Sequence, residues 1–405
     1  MRWRRNLYAV TAATFIGFTG FTLVMPFLPL YFEQLGLTDV GEIALWSGLS
    51  LGATPAITAL MAPFWGRLAD RYGRKIMVQR SLFSFVLVMG AMAYVTEPWH
   101  VFALRVFQGL FAGYGALALT MAADSAPREQ TAYAIGVVQT AQRLGPALGP
   151  VIGGVVAQAV GLRNAFFVTS AFYLLAFVLV AVMYDEQGVV ARVGRDEPAR
   201  RVTFRNVLAF ENFVLLMAVI FGLQFVDRSF GPVLPLFVGE LGAPGSQVPL
   251  LAGIIFSTAA GAGALGNQFC GRLMARLPAR RVIAGACAAA SGGVAGYLLA
   301  ANPWWLMLPT FVFGVAIGMA TTAAYTAASS VIPGTARGTG FGLLTTASLV
   351  GLAVSPIANG ILATTSIRAV FVVDAIILAA LALMVSRLMI TAPLTPATSP
   401  PTEEI

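Results

Sequence analysis

Pro26-Phe27-Leu28-Pro29-Leu30 returns about 205 residues later as Pro232-Val233-Leu234-Pro235-Leu236. The echo runs along the whole chain. Pro98-Trp99 comes back as Pro303-Trp304, and Arg163 with Phe166 as Arg368 with Phe371, each 205 positions on. Gly149-Pro150 has its counterpart in Ser355-Pro356, and the Gly66-Arg67-Leu68 turn in Gly271-Arg272-Leu273. A segment copied in the same direction predicts two parallel halves facing each other across a central site, the layout on which rocking transporters are built.

Composition puts those halves in a bilayer. Soluble chains carry about a quarter charged residues. This chain of 405 residues has 10% charged and 58% hydrophobic, with a mean hydropathy of +0.82. Windows of ~20 mostly uncharged residues cross a ~30 Å hydrocarbon core as helices. Twelve are present, at 9–31, 43–64, 76–95, 99–122, 131–158, 163–184, 209–238, 248–270, 281–301, 304–329, 338–363 and 369–390. The expected fold is an all-α membrane protein, twelve transmembrane helices in two pseudo-symmetric six-helix bundles. Its expected parts are residues 1–184, a linker at 185–208, residues 209–390 and a tail at 391–405. The linker is polar and arginine-rich. The tail, rich in Pro, Thr and Ser, cannot bury a core and reads as disordered.

Arginine gives the orientation. With the N-terminus cytoplasmic, the cytoplasmic segments hold Arg2, Arg4 and Arg5, then Arg67, Arg71, Arg74 and Lys75, and Arg128. They continue with Arg192, Arg195, Arg200, Arg201 and Arg205, then Arg272, Arg276, Arg280 and Arg281, Arg337 and Arg387. The opposite turns carry Glu33, Asp39, Glu42, Glu97 and Glu240, with Arg163 and Arg368 as their main cations. This positive-inside bias predicts a multi-pass membrane protein with both termini cytoplasmic. The net charge of +8 reflects these short edge turns and gives no sign of nucleic acid. Arg2-Trp3-Arg4-Arg5 mimics a signal peptide, but its apolar run ends in the Pro26/Pro29 element instead of a small-residue cleavage site.

Between spans 2 and 3 the chain reads Gly66-Arg67-Leu68-Ala69-Asp70-Arg71-Tyr72-Gly73-Arg74-Lys75. Glycines permit a tight reversal, and the cations suit an anionic inner leaflet. The loop resembles the loop 2–3 signature of the major facilitator superfamily, and span count, orientation and repeat all fit that fold. The resemblance implies a charge relay of Asp70, Arg74 and Asp124 that latches the outward-facing state. A merely topogenic basic turn is the plain alternative. In the second half Ala275 stands where Asp70 would recur.

Span 5 carries Gly136, Gly145, Gly149-Pro150 and Gly153-Gly154, a spacing that resembles the signature of the antiporter branch of that superfamily. Small residues let helices approach closely in a membrane, and Pro150 removes a backbone hydrogen bond and can kink the helix. Span 11 keeps Gly342, Gly351, Pro356 and Gly360 but has Ser355 and Asn359. Arg105, Gln108 and Gly109 in span 4 resemble a third signature, whose buried arginine is implicated in proton transfer. A central arginine costs at least ~2.5–3.5 kcal/mol on insertion scales and marks a functional or paired site. Snorkelling of Arg105 to the outer surface is the plain reading.

The remaining polar groups are candidates for the cavity. Gln224, Asp227 and Arg228 lie towards one face of span 7. An intramembrane carboxylate can carry a proton, because a dry setting favours the neutral acid and a nearby arginine the charged form. Asp227 is therefore a proton carrier or a static ion pair with Arg228, Arg105 or Arg143. Gln139, Gln142 and Arg143 share a face of span 5, and Tyr325 is among the aromatics that could line an apolar pocket. Glu33 and Asp374 read as edge residues. Gly261-Ala262-Gly263-Ala264-Leu265-Gly266 matches a dinucleotide pattern but lies inside an apolar span, where helix packing explains it. Cys270 and Cys287 have no pairing logic, so neither disulfide nor metal is expected, and no cofactor is implied.

The whole resembles the twelve-helix drug:H⁺ antiporters, bacterial multidrug efflux transporters tied to antibiotic resistance. That resemblance implies a monomer, not an enzyme, whose partners are a lipophilic or amphiphilic small molecule, protons and membrane lipids. The arginines leave open an exporter of one anionic metabolite or siderophore-like compound.

Overall fold

The computed structural model describes residues 2–127, 130–185, 208–333 and 337–390. Most of the expected linker, the tail from 391 and Arg128 fall outside the described residues, as does the side chain of Asp70. Eight helices among the described residues are long and apolar enough to cross a membrane, and a bent pair makes a ninth. Span 4, span 5 (Thr131–Val160) and span 9 (Ala279–Tyr297) bring the crossings to twelve. Span 5 carries Gln139, Gln142 and Arg143, and span 9 opens on two arginines, so both are less apolar than the rest.

The proline repeat that signals the duplication also interrupts both copies. Span 1 runs Arg2–Val24, tightens to a 3-10 turn at Met25–Phe27 and resumes as Leu28–Gln34. Span 7 runs Phe213–Ser229 and resumes as Leu234–Glu240 with a bend of 46°. A proline has no N–H to continue the ladder; Pro29 and Pro235 each sit in the first turn of the resumed helix. The expected crossings at 9–31 and 209–238 are therefore each broken near one end. Tyr31 meets Phe166 at 4.8 Å and Phe237 meets Phe371 at 4.9 Å, so the two breaks dock against span 6 and span 12 alike.

Span 4 is broken too, against the expectation of one run over 99–122. It consists of Pro98–Phe111 and Tyr114–Ser125, separated at Ala112-Gly113, where Gly113 takes a φ of 123°. A break frees carbonyls that hydrocarbon cannot hydrate. Trp65 Nε1 donates to Leu110 O at 2.6 Å, and Arg80 Nη2 to Phe111 O at 3.1 Å. Past the break, Gln142 Nε2 donates to Gly115 O at 2.9 Å. The Arg80 guanidinium lies 3.3 Å over the Trp65 ring, so cation and aromatic cover the break together.

Basic residues close the ends of each half. Lys75 Nζ donates to Ala181 O at 2.9 Å and Tyr184 O at 2.6 Å, the last carbonyls of span 6 (Leu162–Met183) and just beyond. Arg280, 205 positions later, donates to Ser386 O in the last turn of span 12 (Ile367–Leu388). Asn6 bonds Asp185 O and Asn212 bonds Ile390 O, joining the start of each half to its finish. All these contacts share one face, here called the basic end.

Within each half, span 5 and its counterpart span 11 (Arg337–Ala363) lie hard against the first span. A Cβ at Gly145 would stand 2.9 Å from Thr19 N, and Gly149 and Gly153 meet the Thr19 and Leu23 carbonyls in the same way. On span 11, Gly351 faces Phe221 O at 2.7 Å, while Ser355 donates to Phe225 O. A hydroxyl hydrogen bond thus replaces one bare glycine contact. Substituting Gly153→Val would force side-chain carbon onto the Leu23 carbonyl, at a cost of about 1–3 kcal/mol. The expected outcome, read by size-exclusion chromatography and thermal melting of purified protein, is a lower Tm and a loss of monodisperse protein. Gly136→Ala, where a Cβ meets nothing within 4 Å, leaves both unchanged.

Candidate functional site

The halves touch most closely at the end away from the basic turns. Span 2 (Val40–Tyr72) opposes span 11, and span 5 opposes span 8 (Val248–Met274). A Cβ at Gly41 would lie 2.8 Å from Thr364 Cα, and one at Gly52 2.5 Å from Ala353 O. Between them Gly48 faces Pro356 O, and Gly360 faces Ala44 O at 2.6 Å. Across the second seam Gly154 faces Pro249 O at 2.8 Å, and Gly253 faces Pro150 O. Val151 N donates to Ser257 Oγ at 3.1 Å, a hydrogen bond between the halves. The glycines of span 5 therefore divide by role: Gly145, Gly149 and Gly153 seat it on span 1, and Gly154 meets the other half. Pro150 places a carbonyl at the seam, and the helix continues through it.

Span 5 and span 7, which packs on span 11 beside this closed seam, carry polar groups. Asp227 pairs with the adjacent Arg228, Oδ2 to Nε 3.4 Å, and their side chains are 34% and 48% exposed. Neither Arg105 nor Arg143 is the partner of Asp227. Gln224 donates to Ser348 Oγ at 2.9 Å and so ties span 7 to span 11. Arg143 reaches across instead: with the Asn267 amide oriented to satisfy all its neighbours, Nη1 donates to Asn267 Oδ1 at 2.7 Å. That amide then donates to Gly318 O at 2.7 Å and Thr322 Oγ1 at 2.9 Å. A cation from one half is thus held by a neutral amide of the other.

Arg105 does not snorkel. It is 1% exposed, donates from Nε to Ser50 O at 3.1 Å, and bonds Gln108 Oε1. Its guanidinium stands 5.8 Å from the Phe21 ring, and no carboxylate pairs with it among the described residues. Gln108 is fully buried and orients Arg105 instead of facing an open space. Gln142 ties span 5 to span 4 through Gly115 O. Gln139 is exposed and Tyr325 half-buried.

The chain matches the Major Facilitator Superfamily over residues 10–348 and again over 216–405. It belongs to that superfamily. Among its relatives, the multidrug resistance protein MdtG of Escherichia fergusonii is 33% identical over 323 residues, 78% of each chain. The MdtG of Rahnella sp. is 33% identical over 283 residues, covering 70% of this chain and 68% of its own. A multi-drug resistance efflux pump PmrA homolog of Lactococcus lactis is 32% identical over 287 residues, 70% and 69% of the two chains. In fold it is similar to a bacterial homolog of the lysosomal transporter Spinster, solved inward-facing and unoccupied. That match has a TM-score of 0.76 at 18% identity and covers 96% of this chain and 98% of that one. The nucleoside transporter NupG gives 0.75 at 14%, covering 94% and 98%.

In this major facilitator chain the Arg74 guanidinium forms an ion pair with Asp124, joining the turn before span 3 to the basic end of span 4. Three groups escaped the sequence reading. Asn267 is an uncharged amide within an apolar run, and nothing nearby in sequence marks it. Arg80 is a cation well inside span 3 (Arg74–Met92), and that position alone could have singled it out. Asp374, read as an edge residue, is fully buried: it accepts from Ser229 Oγ, and its Oδ1 has no hydrogen-bond partner among the described residues. Asp374 sits one turn beyond Phe371, whose ring stacks on Phe230, and counting residues from the helix start does not reveal its burial.

Cysteines at Gly41 and Thr364 test the closed seam. The added Cβ would lie 3.2 Å from Thr364 Cβ, close to the ~3.5–4.5 Å that a disulfide spans. The Gly41→Cys/Thr364→Cys protein is expected to cross-link on mild oxidation in membranes, stop transporting, and recover on reduction. A pair that never cross-links would show that this seam does not close.

Proposed function

We propose that the protein is a proton-coupled exporter of lipophilic or amphiphilic drugs that works by alternating access. The observation that carries the reading is the pair of glycine seams, spans 2 with 11 and 5 with 8. They shut one end of the inter-half interface and leave the basic end without such backbone contacts between glycines of the two halves among the described residues. The names of the MdtG and PmrA relatives support the substrate class. The arginine-rich end is cytoplasmic, by the positive-inside bias of its turns, so both termini are cytoplasmic and the described state is closed to the outside. Residues 1–184 and 209–390 rock as two bodies joined by residues 185–208, in a bacterial inner membrane. The chain works as a transporter and not as an enzyme, and as a monomer.

Asp227 is the proton carrier of this scheme. In this scheme a proton from outside binds the Asp227 carboxylate when that side is open and leaves to the cytoplasm after the halves have rocked back. Arg105, held by Gln108 and Ser50 O, lends fixed positive charge to the path. Each proton moving inward across 100 mV supplies ~2.3 kcal/mol, enough to sustain an outward drug gradient. Asp70, Arg74 and Asp124 form a latch at the basic end that favours the outward-open state; the Arg74–Asp124 pair already stands in the state closed to the outside, so the latch's preference between states rests on Asp70. The cation Arg143, met among the described residues by the neutral Asn267 alone, favours a second reading, export of an anionic compound.

In proteoliposomes, Asp227→Asn is expected to abolish pH-driven drug exchange while the protein stays folded; unchanged exchange removes Asp227 from the mechanism. Asp70→Asn is expected to slow turnover several-fold with little change in drug affinity. Equal turnover in the mutant would count against the latch. Competition by cations and neutral lipophiles, but not by anions, separates the first substrate class from the second.

A further inference from the structure

The two halves share their register through spans 2 to 4 and differ sharply at one place. Gly109 lies against Thr54 O at 2.8 Å and beside Ile57; 205 positions on, Gly314 lies against Ala259 O at 2.5 Å and beside Ala262. In the first half, the space on the basic side of this crossing holds Arg80 over Trp65, with Phe111 5.8 Å from the guanidinium. The equivalent positions, 80 to 285, 65 to 270 and 111 to 316, are Gly285, Cys270 and Ala316. Span 10 (Met307–Val331) runs unbroken here, so no freed carbonyls call for such a plug.

What the first half fills, the second half leaves open. A groove of about 440 Å³ runs from the basic ends of spans 8 and 9 to the middle of span 10, lined by Leu277, Gly285, Ala289, Phe311 and Val315, with Arg281. A Cβ at Gly285 would meet nothing within 4 Å. Span 9 packs on spans 10 and 12, within its own half, and Phe311 and Val312 are exposed beside the groove. The groove therefore faces outward from the bundle, away from the seams between halves.

Its single charge sits at the basic end. Arg281 is exposed, and its side chain makes no hydrogen bond or ion pair with a described residue. Its neighbour Arg280 is committed to Ser386 O. The fold does not require a cation at this position, since its counterpart in the first half is Ile76. Span 9 also begins here behind Pro278 with no side-chain cap, so the positive end of the helix dipole adds to Arg281.

We propose that this groove binds one anionic phospholipid, with an acyl chain along Gly285, Ala289 and Val315 and its phosphate on Arg281. Apolar walls ending in one unpaired cation complement an anionic headgroup on a hydrocarbon chain, whereas a lipophilic cation would be repelled at the rim. The inference rests on the reading that the basic end lies at the headgroups of the cytoplasmic leaflet, where anionic lipids meet juxtamembrane cations.

The test uses full-length protein, delipidated in detergent, with thermal melting and native mass spectrometry as readouts. The probes are phosphatidylglycerol, phosphatidylcholine with the same chains, and glycerol 3-phosphate. Phosphatidylglycerol is expected to raise Tm above the phosphatidylcholine value and to stay bound as one molecule, by binding the folded state alone. Arg281→Gln should erase the preference for phosphatidylglycerol without changing Tm in the absence of lipid. Gly285→Leu, and independently the exposed Ala289→Leu, should abolish retention of both lipids. Wild-type preference persisting in all three variants would overturn the proposal. So would a full shift from glycerol 3-phosphate alone, which would mark a plain anion site. Drug transport enters none of these readouts, so failure here is distinct from failure of the exporter reading.

Discussion

Helices in a bilayer gain little from burying apolar surface against each other, because lipid is as apolar as leucine. What holds them is how near their backbones come. The seams between the halves are built on that constraint: Gly41, Gly48 and Gly52 face span 11, and Gly154 and Gly253 bring spans 5 and 8 together. Any side chain at these positions would push the halves apart. A contact made of bare backbone has few side chains to rearrange when it opens, which suits a joint that must close and part repeatedly.

The dry interior sets a second constraint, that every freed carbonyl must find a donor. It explains polar residues that would otherwise look like parts of a transport path. Trp65 and Arg80 serve the carbonyls of the break in span 4, Lys75 and Arg280 close the ends of spans 6 and 12, and Gln142 is taken up tying span 5 to Gly115 O of span 4. Removing these from the roster leaves a shorter set of groups free to act, chiefly the Asp227–Arg228 pair, Arg143 and Gln139. It also accounts for the asymmetry between halves, since the half with the unbroken span 10 has no use for a plug.

The crossings and the duplication were legible because both are written in local composition and in a fixed offset. The arginine turns were legible for the same reason. The breaks in spans 1 and 7 follow from prolines already visible in the repeat, whereas no proline marks the break at Ala112-Gly113 within the run at 99–122. Partners across space were the harder part. Asp227 had three arginines to choose from in sequence, and only the folded chain selects Arg228. Asp374 lies near a helix start in sequence yet is fully buried in space. Arg143 meets Asn267, a residue 124 positions away with no charge to announce it.

The central claim is that the glycine seams are one position of a two-state joint between the halves. Pulsed electron resonance distances in nanodiscs test it most directly, with one pair of spin labels across the far end (Val40 and Thr365) and one across the basic end (Tyr72 and Arg276). On adding drug and changing pH, the two distances are expected to move in opposite senses, the far pair lengthening as the basic pair shortens. Distances that stay fixed, or that lengthen together, would contradict the account.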